Sequence, residues 1–438
     1  MDFFRRPAVF SNILFVLALL TSHPFQANAS ERQDELYKII GTHASGSSIA
    51  ETRGGYIVAG SARDKDGQCC LGWAVKIDKS GDKLWEKTIG ESYNYYNFVK
   101  AAAMGDRAVL AGATDISYKP QWQAGTFASA SGWVVKLAED GSVEWEKKLR
   151  LKERLEYEDI EIEVMPSILA TDAKVVGDRI IIAGFLRYGI SDTPIVWMLD
   201  AKGGVVWERR IEVEREHSVW PDVIIPLRNG GIVIEGDLID RNNNSFNTWL
   251  AYISARGKVL WERKFNSDID KKFVSTASSR VLAELKDGSI ITGNGVEYLD
   301  IKEINEDIHS TQRKAIIQPL GGSVWLSKLA NNGDLKWRSK INIPGICGIK
   351  GLWTADKDEI VAVGQTCENE QERIWAATLS SSGKIKSIKK FLPVKNAHIH
   401  QAIPAGDGAF IAVGNSHEKE SDGSSVWIYR TEFNSNAK

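Results

Sequence analysis

Histidines are the side chains in this sequence with the widest capacity for chemistry. His398 and His400 stand two residues apart, a spacing that puts both imidazoles on one face of a strand. Together with His217 and His417 they could transfer protons or hold a metal ion. A zinc site needs a third protein ligand, and the sequence offers none at a fitting spacing. We therefore predict ordinary hydrogen-bonded histidines and no metal site, and keep these four as the candidates for catalysis.

Four cysteines form two pairs along the chain. Cys347 and Cys367 each lie ten residues from Lys357, which sits in a predicted hairpin turn. They should therefore face each other across antiparallel strands, which predicts a disulfide. Cys69 and Cys70 are adjacent, and a vicinal disulfide follows by elimination, with two free thiols as the alternative. Such a ring could form a rigid ligand platform or clip a mobile loop.

Short enzyme motifs are missing from the sequence. It has no His-Glu-x-x-His, no Gly-x-Ser-x-Gly, no phosphate-binding loop and no haem attachment site. Residues 240–245 begin like a calcium loop, but Ser245 stands where glycine is needed and Ala251 replaces the bidentate glutamate, which favours a polar turn. No cofactor is predicted. These absences weaken the case for an enzyme without excluding one.

The elements that must position these residues recur seven times. Each unit has an apolar run closed by glycine, such as Tyr56-Ile57-Val58-Ala59-Gly60. A second run follows, in which Trp73, Val75 and Ile77 alternate with smaller or polar residues, a period of two that marks a strand. The closing glycines are Gly60, Gly112, Gly184, Gly236, Gly293, Gly364 and Gly414.

The unit predicts an all-β, seven-bladed β-propeller of four-stranded antiparallel blades. A single four-stranded sheet leaves its apolar faces uncovered, and radial stacking of sheets covers them. The seventh unit ends at Trp427-Ile428-Tyr429-Arg430, without room for a fourth strand. Residues 36–41 resemble the fourth strand of the first unit, with Tyr37 at the position of Trp85, so we expect this N-terminal strand to close the ring. The long interval between the fourth and fifth units could hold an eighth blade but lacks another apolar-Gly run.

The Asp-x-x-Gly-x-x-x-Trp stretch from Asp78 to Trp85 is similar to the tryptophan-docking motif of pyrroloquinoline-quinone-like propellers. The whole alternation resembles repeats of bacterial exported β-propellers, over residues 35–430. The resemblance implies a propeller fold. Quinone enzymes of that group usually have eight blades and a calcium-bound cofactor, and their cofactor residues have no match here. Other relatives serve as assembly and scaffold proteins in the envelope.

The N-terminus has the layout of an export signal. Arg5 and Arg6 precede a short apolar run, and Ala27-Asn28-Ala29 fits a cleavage site. This predicts a signal peptide at 1–29, with an uncleaved anchor as the alternative, and a single propeller domain at 30–438 in the periplasm or outside the cell. The 438 residues carry 55 basic and 57 acidic side chains, a balance that argues against nucleic-acid binding. The predicted protein is not membrane-embedded and is a monomer.

One face of the propeller is predicted to carry the long connections. All six histidines after residue 29, Trp122, Trp220 and the stretches 151–167 and 296–321 fall in or beside the connections between fourth and first strands or between second and third strands. Long loops on a rigid scaffold are where binding sites usually lie. We therefore predict a non-catalytic scaffold that binds an envelope protein or a surface polymer through this face, with Trp122, Trp220, Tyr188 and Tyr298 as its contacts. The alternatives are an oxidoreductase-like or metal-dependent enzyme at the channel mouth, and a small-molecule sensor with the Cys69-Cys70 loop as its lid.

Overall fold

Thirty β-strands make up the secondary structure that we describe. The computed structural model describes residues 36–63, 70–91, 96–118, 127–157, 160–188, 191–214, 216–242, 245–266, 278–304, 315–355, 358–368, 371–395, 397–406, 408–417 and 424–433. Among these residues no helix has the length and apolar character needed to cross a membrane.

Strands β2 to β19 form the first four blades and one separate hairpin. Blade one contains β2 (Ala44–Thr52), β3 (Gly55–Ala62), β4 (Leu71–Asp78) and β5 (Lys83–Ile89). Blade two contains β6 (Asn97–Met104), β7 (Arg107–Tyr118), β8 (Phe127–Leu137) and β9 (Val143–Leu149). The hairpin is β10 (Glu153–Tyr157) with β11 (Ile160–Val164). Blade three contains β12 (Ser167–Val176), β13 (Arg179–Tyr188), β14 (Ser191–Asp200) and β15 (Val205–Arg210). Blade four contains β16 (His217–Pro226), β17 (Ile232–Asp240), β18 (Ser245–Ile253) and β19 (Val259–Asn266).

The remaining strands form three further blades. Blade five contains β20 (Ser278–Glu284), β21 (Ile290–Ile304), β22 (Ala315–Leu329) and β23 (Leu335–Ile341). Blade six contains β24 (Ile346–Thr354), β25 (Ile360–Glu368), β26 (Gln371–Leu379) and β27 (Ile385–Lys395). Blade seven contains β28 (Ala397–Pro404), β29 (Ala409–His417), β30 (Ser424–Glu432) and, as its fourth strand, β1 (Leu36–Thr42). The predicted seven-bladed antiparallel architecture is confirmed.

The first strand of every blade lies at the centre of the ring. Each of these seven inner strands contacts the inner strand of the next blade, and β28 contacts β2, so the ring is closed. Closure also depends on β1, which pairs antiparallel with β30 from Leu36 opposite Arg430 to Thr42 opposite Ser425. The prediction that the N-terminal strand completes the last blade is therefore confirmed.

Indole rings lock neighbouring blades together. The ring of Trp85 covers Gly141 in a turn of blade two, and its Nε1 donates to the carbonyl of Glu139 at 2.7 Å. Four further tryptophans donate in the same way to the next blade: Trp145 to Ala201, Trp207 to Ala255, Trp261 to Asn331 and Trp337 to Ser381, at 2.9 to 3.2 Å. A fully buried indole stabilises the fold by about 4–6 kcal/mol at most, and these five rings are partly buried, so each contributes less than that to the contact between blades.

Leu36, rather than the predicted Tyr37, occupies the docking position between blades seven and one. In blade one, Thr88 lies opposite Trp73, and the docking residue Trp85 is three residues before Thr88. In blade seven, Ile39 lies opposite Trp427, and the residue three positions before Ile39 is Leu36. Leu36 and Lys38 accordingly lie over Gly81 of blade one, where a Cβ would be 3.1 Å from Leu36 Cδ2. The prediction was one residue out because it aligned the aromatic rings instead of the hydrogen-bonded register.

The two ends of the propeller differ as predicted. Turns between first and second strands and between third and fourth strands are short, whereas the other end carries the hairpin β10–β11 and the extended β21–β22 ladder. Stretches 151–167 and 296–321, which we predicted to be loops, therefore contain hairpin strands. The described histidines lie at this loop-rich end, among them His43 between β1 and β2 and His217 at the start of β16. His309 lies outside the described residues.

Candidate binding site around the central channel

A β-bulge interrupts the inner strand of six blades at an equivalent position. The extra residues are Ser47, Val99, Thr171, Asp222, Lys350 and His400 in blades one, two, three, four, six and seven. A bulge inserts one residue and re-aims the side chains around it. The repeat thereby places one extra inner-strand residue at the same level in each of these blades.

The closing glycine of each unit makes this bulge sterically allowed. A Cβ on Gly60 would lie 1.8 Å from the carbonyl oxygen of Ser45, and one on Gly112 would lie 1.8 Å from that of Asn97. Both distances are far below any van der Waals contact. The glycine recurs because the inner-strand backbone passes directly over it.

Blade five departs from this pattern. Strand β20 pairs with β21 without a bulge, and Asn294, not Gly293, lies opposite Trp325 in the position that Gly60 takes opposite Trp73. The prediction that Gly293 closes the fifth unit is therefore wrong by one residue. Without a bulge there is no approaching carbonyl, so a residue with a side chain fits. Asn294 uses that side chain to accept a hydrogen bond from Arg280 Nη1 at 2.8 Å.

Arg280 is the centre of a buried ionic cluster between blades four and five. Its side chain is 4% exposed, and Nε lies 3.1 Å from Asp222 Oδ2. Nη1 lies 3.4 Å from Glu235 Oε1, and Nη2 donates to Asp237. One guanidinium thus faces three carboxylates, and Glu235 is fully buried. We call Asp222, Glu235, Asp237 and Arg280 the Arg280 cluster.

The imbalance of charge in the Arg280 cluster shifts the acidity of its members. Burial raises the pKa of Glu235 to about 7, although Arg280 and Thr292 oppose the shift. Burial also raises the pKa of Asp222 to about 7, and the charge of Asp237 acts in the same direction. A single cation cannot neutralise three carboxylates away from bulk water, so the surplus acids retain protons.

Asp222 forms an ion pair with Arg280 that is not a hydrogen bond. It is the bulge residue of blade four, and its side chain is 37% exposed. Among the described residues, neither Asp222 Oδ2 nor Arg280 Nε makes a hydrogen bond, because their 3.1 Å ion pair lacks the required alignment. Buried polar groups are normally hydrogen-bonded. Both atoms are buried, so they form an ion pair with unsatisfied hydrogen-bonding capacity inside the Arg280 cluster.

Trp220 stands beside this cluster on the same inner strand. Its Cα pairs with that of Asp237, its side chain is 38% exposed, and Nε1 donates to Asp192. Arg187 holds Asp192 with two contacts of 2.6 and 3.3 Å. The indole is stacked near Phe185, with ring centroids 6.3 Å apart. An exposed ring held by a buried ion pair is a rigid aromatic contact surface.

Of the other predicted binding residues, Tyr188 is the one whose side chain is described. Tyr188 is partly buried, with the guanidinium of Arg210 5.2 Å from its ring centroid. Trp122 lies outside the described residues. Tyr298 belongs to β21, and its side chain also lies outside the described part.

The candidate catalytic histidines are divided between opposite parts of the ring. His217, in blade four, has Nδ1 3.3 Å from Lys264 Nζ and 3.3 Å from Glu214. His398 and His400 lie in blade seven, and His400 Nε2 is 2.9 Å from Asn415 Nδ2. His417 ends β29, and its side chain lies outside the described residues. Within the described part of the chain, no three His, Cys, Asp or Glu side chains form a group fit for a metal ion.

The bulge at His400 changes its relation to His398. Simple alternation predicted two imidazoles on one strand face, but Ile399 and Gln401 pair with successive residues of β29, which leaves His400 as the extra residue. Protein groups surround the imidazole of His400, although part of the residue remains accessible to water. That burial, together with the charges of Lys350, His398 and Lys100, lowers the pKa of His400 to about 4.

The cysteine pair of blade six is offset. Two bulges in β24 place Ile346 opposite Thr366, so Cys347 and Cys367 are not directly opposite, contrary to the prediction from their equal distance to Lys357. Cys347 and Cys70 are both buried, and neither is a free thiol. The side chains of Cys367 and Cys69 lie outside the described residues, so both disulfide pairings stay predictions.

Sequence analysis missed all four members of the Arg280 cluster. One signal was present: Glu235 interrupts the apolar run Gly231-Ile232-Val233-Ile234, at a position where the other correctly aligned units have alanine or valine. Residues that break a local rule often mark functional sites.

Comparison with known proteins assigns neither a family nor a function to this chain. No protein-family model matches the sequence, and no curated protein matches it. Similar solved structures include the β-propeller domain of the Trilobed protease from Pyrococcus furiosus, with 11% identity, a TM-score of 0.45, and coverage of 91% of this chain and 98% of that chain. Sqt1 from Chaetomium thermophilum has 10% identity, a TM-score of 0.45, and coverage of 90% and 97%. Phage phi92 endosialidase has 10% identity, a TM-score of 0.46, and coverage of 92% and 69%. The more specific resemblance to quinone-type propellers is not confirmed, and the β-propeller assignment rests on the strand topology.

Proposed function

We propose that this chain is a non-catalytic exported propeller that binds an envelope protein or a surface polymer through its loop-rich face. The supporting observation is Trp220, an exposed indole whose position is fixed by the buried pair of Asp192 and Arg187. Binding energy concentrates on pre-organised aromatic side chains of this kind. The proposal includes the periplasmic or extracellular location, the signal peptide at 1–29 and the monomeric state.

Replacement of Trp220 tests this proposal. The Trp220→Ala variant should weaken binding to the partner recovered from envelope extract, or to the isolated surface polymer, at least tenfold, which corresponds to about 1.4 kcal/mol. The matched control is Leu260→Ala, because Leu260 is also half exposed but lies on the outer strand β19. Equal affinities for wild type, Trp220→Ala and Leu260→Ala would refute the role of Trp220.

An enzyme at the channel mouth is the second candidate, and Asp222 favours it. This carboxyl group lies on an inner strand, its side chain is 37% exposed, and burial raises its pKa to about 7, which suits a general acid or base. A turnover abolished by Asp222→Asn would support the enzyme. A stoichiometric metal ion in the purified protein, lost in His398→Ala and His400→Ala, would support its metal-dependent form.

A further inference from the structure

The outer strands of blades five and six carry an excess of positive charge. Strands β23 and β27 together contain seven basic residues and no aspartate or glutamate. The outer strands of blades one to four together contain eight basic and five acidic residues. The net charge is therefore +7 on two strands and +3 on the other four, in a chain whose formal net charge is −2.

A structural glutamate of the repeat is replaced in these two blades. In blades one, two and four, Glu86, Glu146 and Glu262 directly follow the docking tryptophan, and each accepts a hydrogen bond from the buried indole of its third strand. The same register position holds Arg338 in blade five and Ile388 in blade six. Both replacements give up a hydrogen bond that stabilises the other blades. A departure of this kind from a repeat often marks a functional surface.

The replaced position has cationic and apolar neighbours on both strands. Arg338 and Lys340 lie 4.6 and 5.4 Å from the ring centroid of Trp325, which is partly exposed. Tryptophans at this position in blades one, two, four, six and seven are fully buried. On β27, Ile388 is 39% exposed, and Lys390, two residues further on, is exposed on the same side of the strand. Neither Lys340 nor Lys390 makes an ion pair with a described residue.

The two outer strands are joined by a docking contact. Trp337 on β23 covers Gly383 in the turn before β27, and its Nε1 donates to the carbonyl of Ser381 at 3.1 Å. This contact holds the outer strand of blade five against blade six, so the exposed groups of both strands lie on one part of the propeller's circumference. Lys386 is already paired with Glu359 at 2.5 Å and is not counted among them. We call Trp325, Arg338, Lys340, Ile388 and Lys390 the basic edge.

We propose that the basic edge docks the propeller on the surface of an anionic lipid bilayer. Lysine and arginine side chains are attracted to anionic headgroups. A partly exposed indole and an exposed isoleucine suit the boundary between headgroups and acyl chains. A soluble polyanion would gain from a cation in place of Ile388, so the isoleucine favours a lipid surface. The basic edge is separate from Trp220, and the proposal does not depend on the function proposed above.

Co-sedimentation of the full-length mature protein with lipid vesicles tests the proposal. Vesicles of phosphatidylcholine alone are compared with vesicles that also contain phosphatidylglycerol, and dextran sulfate serves as a soluble polyanion. We expect at least tenfold tighter binding to the vesicles with phosphatidylglycerol, and weaker binding in high salt because salt screens exposed charges. Equal binding to both kinds of vesicle, no binding to either, or binding to dextran sulfate alone would each overturn the proposal.

Charge-reversal variants establish where the lipid surface binds. Lys340→Glu combined with Lys390→Glu should weaken binding to the vesicles with phosphatidylglycerol at least tenfold. The matched control is Lys87→Glu combined with Lys202→Glu, which changes the net charge equally at exposed lysines of blades one and three. The control should bind like wild type. Equal loss of affinity in the two double variants would overturn the proposal.

Replacement of Ile388 separates a lipid surface from a soluble polyanion. Ile388→Ser leaves the charge unchanged but removes the apolar group, so it should weaken vesicle binding several-fold. Urea unfolding of the same variant shows that it remains folded under the conditions of the binding assay. Wild-type affinity of folded Ile388→Ser for the vesicles would overturn the lipid assignment.

Discussion

Replacement of Glu235 by glutamine should change how stability depends on pH. Glu235 is fully buried, and its pKa is raised from 4.5 to about 7. The folded state therefore retains a proton that the unfolded state releases between these values. The stability that protonated Glu235 contributes is fully present below pH 4.5 and is lost as pH rises through 7. The shift of roughly 2.5 units corresponds to a loss of about 3 kcal/mol from this one group.

The Glu235→Gln variant cannot ionise at this position and should lack that loss. Urea unfolding followed by tryptophan fluorescence at pH 5, 6, 7 and 8 measures the difference. The stability of the variant relative to wild type should improve by about 2.5 kcal/mol between pH 5 and 8, mostly below pH 7, and should level off above pH 7. If the free energies of unfolding of wild type and Glu235→Gln, plotted against pH, gave parallel curves, the protonated state of Glu235 would be refuted.

Asp287 provides a control, because its pKa is shifted in the opposite direction to that of Glu235. Its hydrogen bonds to Ser289 and Lys328 outweigh the effect of burial and lower its pKa to about 2. The stability that ionised Asp287 contributes is fully present above the pKa of this group in the unfolded chain. It is lost only as pH falls through about 2, which is below the range of the assay. Asp287→Asn should therefore differ from wild type by a constant amount between pH 5 and 8.

Three further predictions follow from the repeat. In urea unfolding, Gly60→Ala should destabilise the fold by about 3 kcal/mol or more, because the added Cβ would meet a backbone carbonyl. Gly105→Ala is the control: its Cβ would enter open space, so only the positive φ matters, and the cost should be about 1 kcal/mol. Tyr37→Glu should stabilise the folded protein by about 1 kcal/mol. In blade one, Trp73 Nε1 donates to Glu86, and the new glutamate would give the unbonded Nε1 of Trp427 an equivalent acceptor. An unchanged unfolding midpoint would contradict this. Deletion of residues 36–42 should expose the edge of β30 and produce oligomers in size-exclusion chromatography, while a monomer of unchanged melting temperature would contradict the closure role.

The sequence predicted features that depend on local periodicity. Alternating apolar residues, turn glycines and paired tryptophans report directly on strands and turns, so the blade count and the closing strand were predicted correctly. The bulges were missed because one extra residue in a strand only shifts the alternation. The Arg280 cluster was missed because Asp222, Glu235 and Arg280 lie on three strands of two blades, and only the three-dimensional register brings them together.

The pairing of β1 with β30 has a consequence for how the chain folds. Leu36 meets Arg430, so the contact that closes the ring joins segments separated by almost the whole propeller. Individual blades can collapse as local meanders, but the loop-closure entropy of this last step is paid only once residues 424–432 have been synthesised. Until β1 pairs with β30, the ring of blades remains open. We expect ring closure to be the slow kinetic phase of folding.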